Sequence, residues 1–246
     1  MSREIWLNTE EGFLIVGEGP IPPREGGLTL RCRDTEERRG SSSVTSDRRR
    51  GASQLGTRNS ELIFSLDGYE PRIDETVFVA PNAAIVGNVS IGAESSVWFS
   101  ATLRADNGEN AITIGQRTSI QDGAVIHVST HRGTAVGNDV TVGHCAVLEG
   151  CTIRDRAVVG MNAVVLEDAE ICEGAMVAAG CVVSAGMKVP PRMLVAGVPA
   201  VIKKEISGAS AGWIEHSAAH YVELARRYRE PTLIHPSQLS PKRTLK

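Results

Sequence analysis

Aromatic residues are scarce in this chain: four Phe, three Trp and three Tyr make up 4% of its 246 residues. A core with so few rings must be built from aliphatic side chains, and a narrow, regular interior is the expectation. No apolar run reaches the roughly 20 residues that cross a bilayer, which excludes a membrane-spanning helix. Charge of one sign is also lacking. With a formal net charge of -3 and a pI near 6.1, the chain has no global attraction for phosphate backbones, and no nucleic-acid partner is expected. The five cysteines (Cys32, Cys145, Cys151, Cys172 and Cys181) are odd in number and form no C-x-x-C pair, so neither a disulfide framework nor a zinc ribbon is signalled. A reducing, cytoplasmic setting is the expectation. Glu4, Glu10 and Glu11 interrupt the N-terminal apolar stretches, unlike a secretory signal, and nine acidic residues among the first 58 argue against a transit peptide.

What is present is a sharp change of composition near residue 60. Residues 31–58 hold eight Arg, four acidic residues and almost nothing apolar, so they cannot offset the entropy of ordering. Residues 1–58 are therefore expected to be an N-terminal extension, largely disordered, with a strand or two around Ile5–Leu7 and Phe13–Val16. The run Arg48-Arg49-Arg50 reads as a solvated tail rather than a nucleic-acid or lipid contact.

From Val79 onward aliphatic residues recur every six positions. They fall at Val79, Ile85, Ile91, Val97 and Leu103, at Ile114, Ile120 and Ile126, and at Val136, Val142 and Leu148. After one five-residue step the rhythm resumes from Ile153 to Val195. A six-residue period is the mark of a parallel β-helix, in which three hexads close a coil of roughly 18 residues around an aliphatic interior. Gly92, Gly115, Gly137, Gly143 and Gly160 follow the aliphatic position, where a tight corner can use glycine's φ freedom. The β-helix domain is placed at 59–200 and a C-terminal helix within 201–230, where Trp213, Tyr221, Leu224 and Tyr228 have helical spacing for packing against the solenoid. Residues 231–246 lack a pattern and read as a tail.

The repeat also acts as a coordinate system, because residues three hexads apart stack one coil above another. Arg104, His127 and Glu149 each follow an aliphatic position at this separation and so share one face. Coils lie roughly 4.8 Å apart, close enough for His127 and Glu149 to hold a common ion. His144, one hexad before Glu149, falls on a different face; a neighbouring subunit around a threefold axis could deliver it. Two His and one Glu form a recognised catalytic zinc set with the fourth position open to water, whose pKa falls toward about 7. The competing reading is a histidine bonded to a backbone carbonyl at a subunit contact. Arg104 and Asp106 read as an intersubunit ion pair. Gln121 is a candidate to orient a metal-bound hydroxide, or equally a corner side chain satisfying backbone groups. Asn107, Glu109 and Asn110 lie in a loop that offers a weaker proton-transfer signal.

The segments LRAD, SIQDGAVIHV, DVTVGHCAVLEGC, VVGMNAVVLEDAEI and VPPRMLVAGVPA, followed by the Tyr-containing helix, resemble the gamma-class carbonic anhydrase family and its hexapeptide-repeat, ferripyochelin-binding-like relatives. The resemblance runs from about Leu62 to Arg229. It implies a left-handed β-helix assembled as a homotrimer, with zinc or iron (Zn2+ or Fe2+) at each subunit interface bound by three His. It also implies reversible hydration of CO2 to bicarbonate. Two ligand positions match His127 and His144, but the third, in an H-x-x-x-x-H pattern, is Glu149. It further implies interface roles for Arg104 and Asp106 and a hydroxide-orienting role for Gln121, while Asn107 stands where the family carries an acidic proton-transfer residue. An anionic ligand makes bound water less acidic, so weak activity is expected. An acyl-coenzyme A-dependent acyltransferase with a histidine base is the alternative, because hexapeptide solenoids also serve that chemistry. A noncatalytic scaffold trimer is the other.

Overall fold

The structure, a computed structural model, describes residues 5–9, 12–16 and 62–229, in two separate units, Met1–Ala52 and Ser53–Lys246. In the first, Ile5–Thr9 and Gly12–Val16 pair as an antiparallel hairpin with Ile5 opposite Val16. The expectations for the remainder of 1–58 and for the tail 231–246 lie outside the described residues.

In the second unit the hexads become very short strands, most of them two residues long. They assemble into sheets of seven, eight and seven strands, each collecting every third strand of the chain in parallel register, with one further antiparallel strand closing the eight-stranded sheet. Such strands cannot stand alone. Each is held by the coil below and the coil above, and by the aliphatic column that runs through the interior. Of the repeat positions, Ile85, Leu103, Ile126, Leu148, Val165 and Val183 are fully buried, and all the others are buried except Val79. Val79 belongs to the first coil of the described residues, where none of them forms a preceding turn over it, and is half-buried.

The glycines after the aliphatic positions serve a different purpose from the one expected. Gly115 and Gly143 do not have positive φ; instead, a Cβ on Gly115 would lie 2.6 Å from the Gly137 carbonyl carbon, and one on Gly143 2.7 Å from the Met161 nitrogen. They are small because the next coil's backbone passes over them. The left-handed conformations occur two positions further on, often at polar residues such as Asp139 (φ 56°) and Asn162 (φ 56°). Asp and Asn tolerate this region better than most side chains do.

The three sheets turn different outer faces to their surroundings. One is charged and polar, with Glu170 bridging Arg154 and Lys188 at 2.8 Å each. A second lies under the helix α1 (Ala209–Arg229). Here Trp98 packs against Phe78 and Tyr228, with ring centroids 5.1 Å apart in both pairs, and its Nε1–H is shared by the hydroxyls of Ser96 and Ser119 at 3.0 Å. Arg226 and Arg229 in the last turn of α1 suit the negative end of the helix dipole, and they tie it to Glu94 and to the Thr76 and Glu75 carbonyls. Tyr221, Leu224 and Tyr228 pack as the periodicity requires; Trp213 does not, and stays 45% exposed. The segment placed at the start of the helical region, Val201–Glu205, is instead a strand that turns back antiparallel on Met193–Ala196.

The third face carries Arg104, His127 and Glu149. Beside them runs a second outward column, Thr102, Val125, Val147, Val164 and Val182, in continuous register. Val125 is 37% exposed and the other members are partly exposed.

Candidate metal centre

The spacing arithmetic of the repeat translates directly into contacts here. His127 stands in Cα register with Arg104 on one side and Glu149 on the other. Its imidazole lies between two carboxylates: Nε2 is 2.9 Å from Asp106 Oδ1, and Nδ1 is 3.4 Å from Glu149 Oε1. Arg104 forms an ion pair with the other oxygen of Asp106. Burial pushes the Asp106 carboxyl up, but hydrogen bonds to His127 and Arg104 outweigh it and hold the group below the usual carboxylate range. When Nε2 alone carries the ring proton, an ionised Asp106 accepts it and Nδ1 presents its lone pair toward Glu149.

That lone pair faces a carboxylate oxygen, an arrangement that invites a cation. Zinc bonds to His nitrogen and carboxylate oxygen are about 2.0–2.2 Å long, so two such ligands in a tetrahedron stand about 3.4 Å apart. The 3.4 Å between Nδ1 and Oε1 matches that edge. Two nitrogen ligands and one oxygen ligand suit Zn2+ or Fe2+. The donor set therefore fits a metal but is incomplete: among the described residues, no three His, Cys, Asp or Glu side chains of the single chain converge.

His144 sits at the corner between the helix-covered sheet and the histidine sheet. Its Nδ1 is 3.0 Å from Asp122 Oδ2, while its Nε2 makes no hydrogen bond among the described residues. A histidine held at one nitrogen by a carboxylate, with the other available, is prepared as a ligand. Its side chain is 46% exposed. Asp122 had no assigned role in the sequence reading, yet it lies 22 positions before His144, as His127 lies 22 before Glu149. The count that stacked one pair contained the other. Burial, and then the charge of Asp122, push the Tyr221 phenol of α1 up, which marks Asp122 as the point where the helix and this corner meet electrostatically.

Gln121 is buried at 4% exposure, and among the described residues its side chain hydrogen-bonds none of the three ligand candidates. Asn107 and Asn110 both donate to the Ser129 carbonyl, which makes them clamps for the loop that follows His127. Burial pushes the Cys151 thiol up to about 12, so it is inert at neutral pH.

Comparisons with known proteins bear on this geometry. The family model for bacterial transferase hexapeptide (six repeats) matches residues 150–185. A protein of Arabidopsis thaliana named gamma carbonic anhydrase 2, mitochondrial, is 36% identical over 162 residues, covering 63% of this chain and 58% of the relative. The chain thus spans less than two thirds of the plant relatives it matches. A Methanocaldococcus jannaschii protein named probable carbonic anhydrase is 44% identical over 153 residues, covering 62% of this chain and 95% of the relative. The crystal structure of a hexapeptide transferase family protein from Anaplasma phagocytophilum, 36% identical, covers 68% of this chain and 98% of its own, with a TM-score of 0.65.

Proposed function

The chain belongs to the gamma-class carbonic anhydrase family, and from that premise we propose that it catalyses reversible hydration of CO2 to bicarbonate at a divalent metal held between copies of the chain in a homotrimer. The observation that carries this reading is the 3.4 Å approach of His127 Nδ1 to Glu149 Oε1, with Asp106 securing the opposite nitrogen. His127 and Glu149 of one copy and His144 of the next would hold the ion. The valine column on the same face supports the assembly. An apolar, β-branched stripe left uncovered along the solenoid is a surface that another copy can bury, and a cyclic trimer repeats the contact three times.

A bound Zn2+ or Fe2+ supplies Lewis acidity that lowers the pKa of a coordinated water toward neutrality. The chain's own residues do the rest. Asp106 keeps His127 in one tautomer and Arg104 keeps Asp106 in place, while Asp122 orients His144. Val125 and Val147 lie two positions before His127 and Glu149 on the same outward side and give linear, apolar CO2 an apolar seat. Gln121 carries a donor and an acceptor for the oxygens of the reacting water or of bicarbonate. Glu149 adds a negative charge that an imidazole would not, so water at this site is less acidic and turnover at neutral pH is slower than with three histidines.

Metal content per chain tests the reading, measured by plasma mass spectrometry on protein purified without chelator. The expected result is about one ion per chain in the wild type and none in His127→Ala, with CO2 hydration in stopped flow lost alongside it. A wild type that stays empty after loading with zinc or, anaerobically, with iron overturns the metal centre and leaves the scaffold trimer. A second reading, acyl transfer from an acyl-coenzyme A with a histidine as base, draws on the likeness to the hexapeptide transferase structure. Acetyl-coenzyme A turnover without metal would favour it.

A further inference from the structure

A charge ladder climbs a different corner of the solenoid, between the polar sheet and the helix-covered sheet. Its rungs are Glu94, Arg117, Asp139, Arg156, Gly174 and Arg192, one per coil, all in the left-handed conformation with φ from 52° to 62°. From Arg117 upward, each rung's amide donates to the carbonyl just before the rung below, as Gly174 does to Asp155 at 3.0 Å and Arg192 to Glu173 at 3.1 Å. The signs alternate from Glu94 to Arg156 and then fail at Gly174. Arg117 grips Asp139 with two hydrogen bonds of 2.7 and 2.8 Å, and Glu94 is met by Arg226 of α1 at 2.6 Å. Arg156 reaches sideways to Glu173. Arg192, above the glycine, has no side-chain hydrogen bond or ion pair among the described residues.

The alternation calls for a carboxylate at position 174. With coils roughly 4.8 Å apart, an anion there would lie between two guanidinium groups, each able to donate in a fork. Space for it exists: a Cβ on Gly174 would meet only Arg192 Cγ, at an ordinary 3.6 Å. A cavity of about 440 Å³ opens over this rung, within the range of small-molecule sites. Arg117, Arg156 and Arg192 line it together with Asp139 and Glu173, which pair the first two and leave Arg192 unmatched, and Ile206, Ile214 and Ala218 add an apolar wall. Ala211, in the first turn of α1, also lines it, and that turn holds no acidic residue, so the positive end of the helix dipole is not already neutralised. Glu215 is the remaining acid of the lining that is not ion-paired with another described residue.

We propose that this cavity binds a small molecule with an oxyanion head, a carboxylate or a phosphate, seated on the Gly174 rung between Arg156 and Arg192. A short apolar body lies against Ile206, Ile214 and Ala218. Glu215 repels negative charge from the helix side and keeps the head at the corner. The site is independent of the proposed metal centre, which occupies another corner and face.

The test is calorimetric titration of the full chain, at constant ionic strength, with hexanoate, hexyl phosphate and the neutral hexanamide. At least one anionic probe is expected to bind, about tenfold or more tighter than hexanamide. Binding of hexanoate alone assigns a carboxylate ligand, and binding of hexyl phosphate alone assigns a phosphate; either supports the site. Arg192→Gln should weaken binding about tenfold or more, and Glu215→Gln should tighten it. Gly174→Asp supplies the missing carboxylate from the chain itself and should abolish binding. Equal binding of all three probes, no binding of either anion up to about 10 mM, or undiminished binding in both Arg192→Gln and Gly174→Asp overturns the proposal. So does loss of anion binding in His127→Ala, which would place the anion at the metal centre instead.

Discussion

Two faces of the same solenoid, the one under α1 and the one bearing His127, share an interior code and differ in what points outward. Under α1 the outward groups are Phe78, Trp98 and small hydroxyl residues, and the chain covers them itself with Tyr221, Leu224 and Tyr228. On the histidine face the outward groups are valines and ionisable side chains, and no helix of the described residues is packed along them. The hexads inside specify the coil. The residues between them specify what will cover each side, this chain's own helix in one case and, on the reading proposed above, a second copy in the other.

The largest effect expected from breaking this contrast comes from charging the uncovered face. If the proposed trimer forms through this face, Val147→Asp combined with Val164→Asp should convert it to monomers in analytical ultracentrifugation and remove the proposed metal, with CO2 hydration falling about a hundredfold or more. Far-ultraviolet circular dichroism should stay solenoid-like, because neither side chain enters the interior column. On the covered face the consequence is the opposite. Trp98→Ala removes a ring that is 4% exposed and leaves the Ser96 and Ser119 hydroxyls without their donor. A loss of about 3–5 kcal/mol in urea unfolding is expected, with the trimer retained at low denaturant. Glu149→His sharpens the contrast within the proposed metal centre: zinc affinity should hold, and hydration at neutral pH should rise several-fold as the bound water becomes more acidic.

The smallest effect belongs to the charged face. Lys188 and Arg154 hold the Glu170 carboxyl below its ordinary value of 4.5. A depressed carboxylate stabilises the native state above the unfolded value and loses that contribution as pH falls through the native one. Lys188→Ala should therefore lower the melting temperature only slightly at pH 7, and the difference from wild type should shrink in melts below about pH 4.

Much of this was legible in the sequence because a solenoid turns separation along the chain into stacking. Arg104, His127 and Glu149 are 23 and 22 positions apart, and the register is what those numbers require. The bond from His127 to Asp106 was not legible. It depends on the chain leaving the strand after Ala105 so that the carboxylate turns back toward the ring, and spacing carries no such detail. The repeat glycines were misassigned for a similar reason: a period marks where a small residue is needed, not whether φ or a neighbouring backbone demands it. Trp213 had helical spacing, but among the described residues it stacks on no other ring and remains outside.

The last strand of the solenoid has a consequence of another kind. Val201–Glu205 runs antiparallel on Met193–Ala196, with a register shift at Leu194/Val195, and presents Lys203 and Lys204 on an exposed edge. A stack of parallel coils is in principle a template that further chains could extend end to end. Reversing direction at the final rung breaks that template on one sheet, and the lysines discourage a new strand from pairing there. On that sheet the reversed strand blocks end-to-end extension, and deleting it is where uncontrolled polymerisation would first be sought.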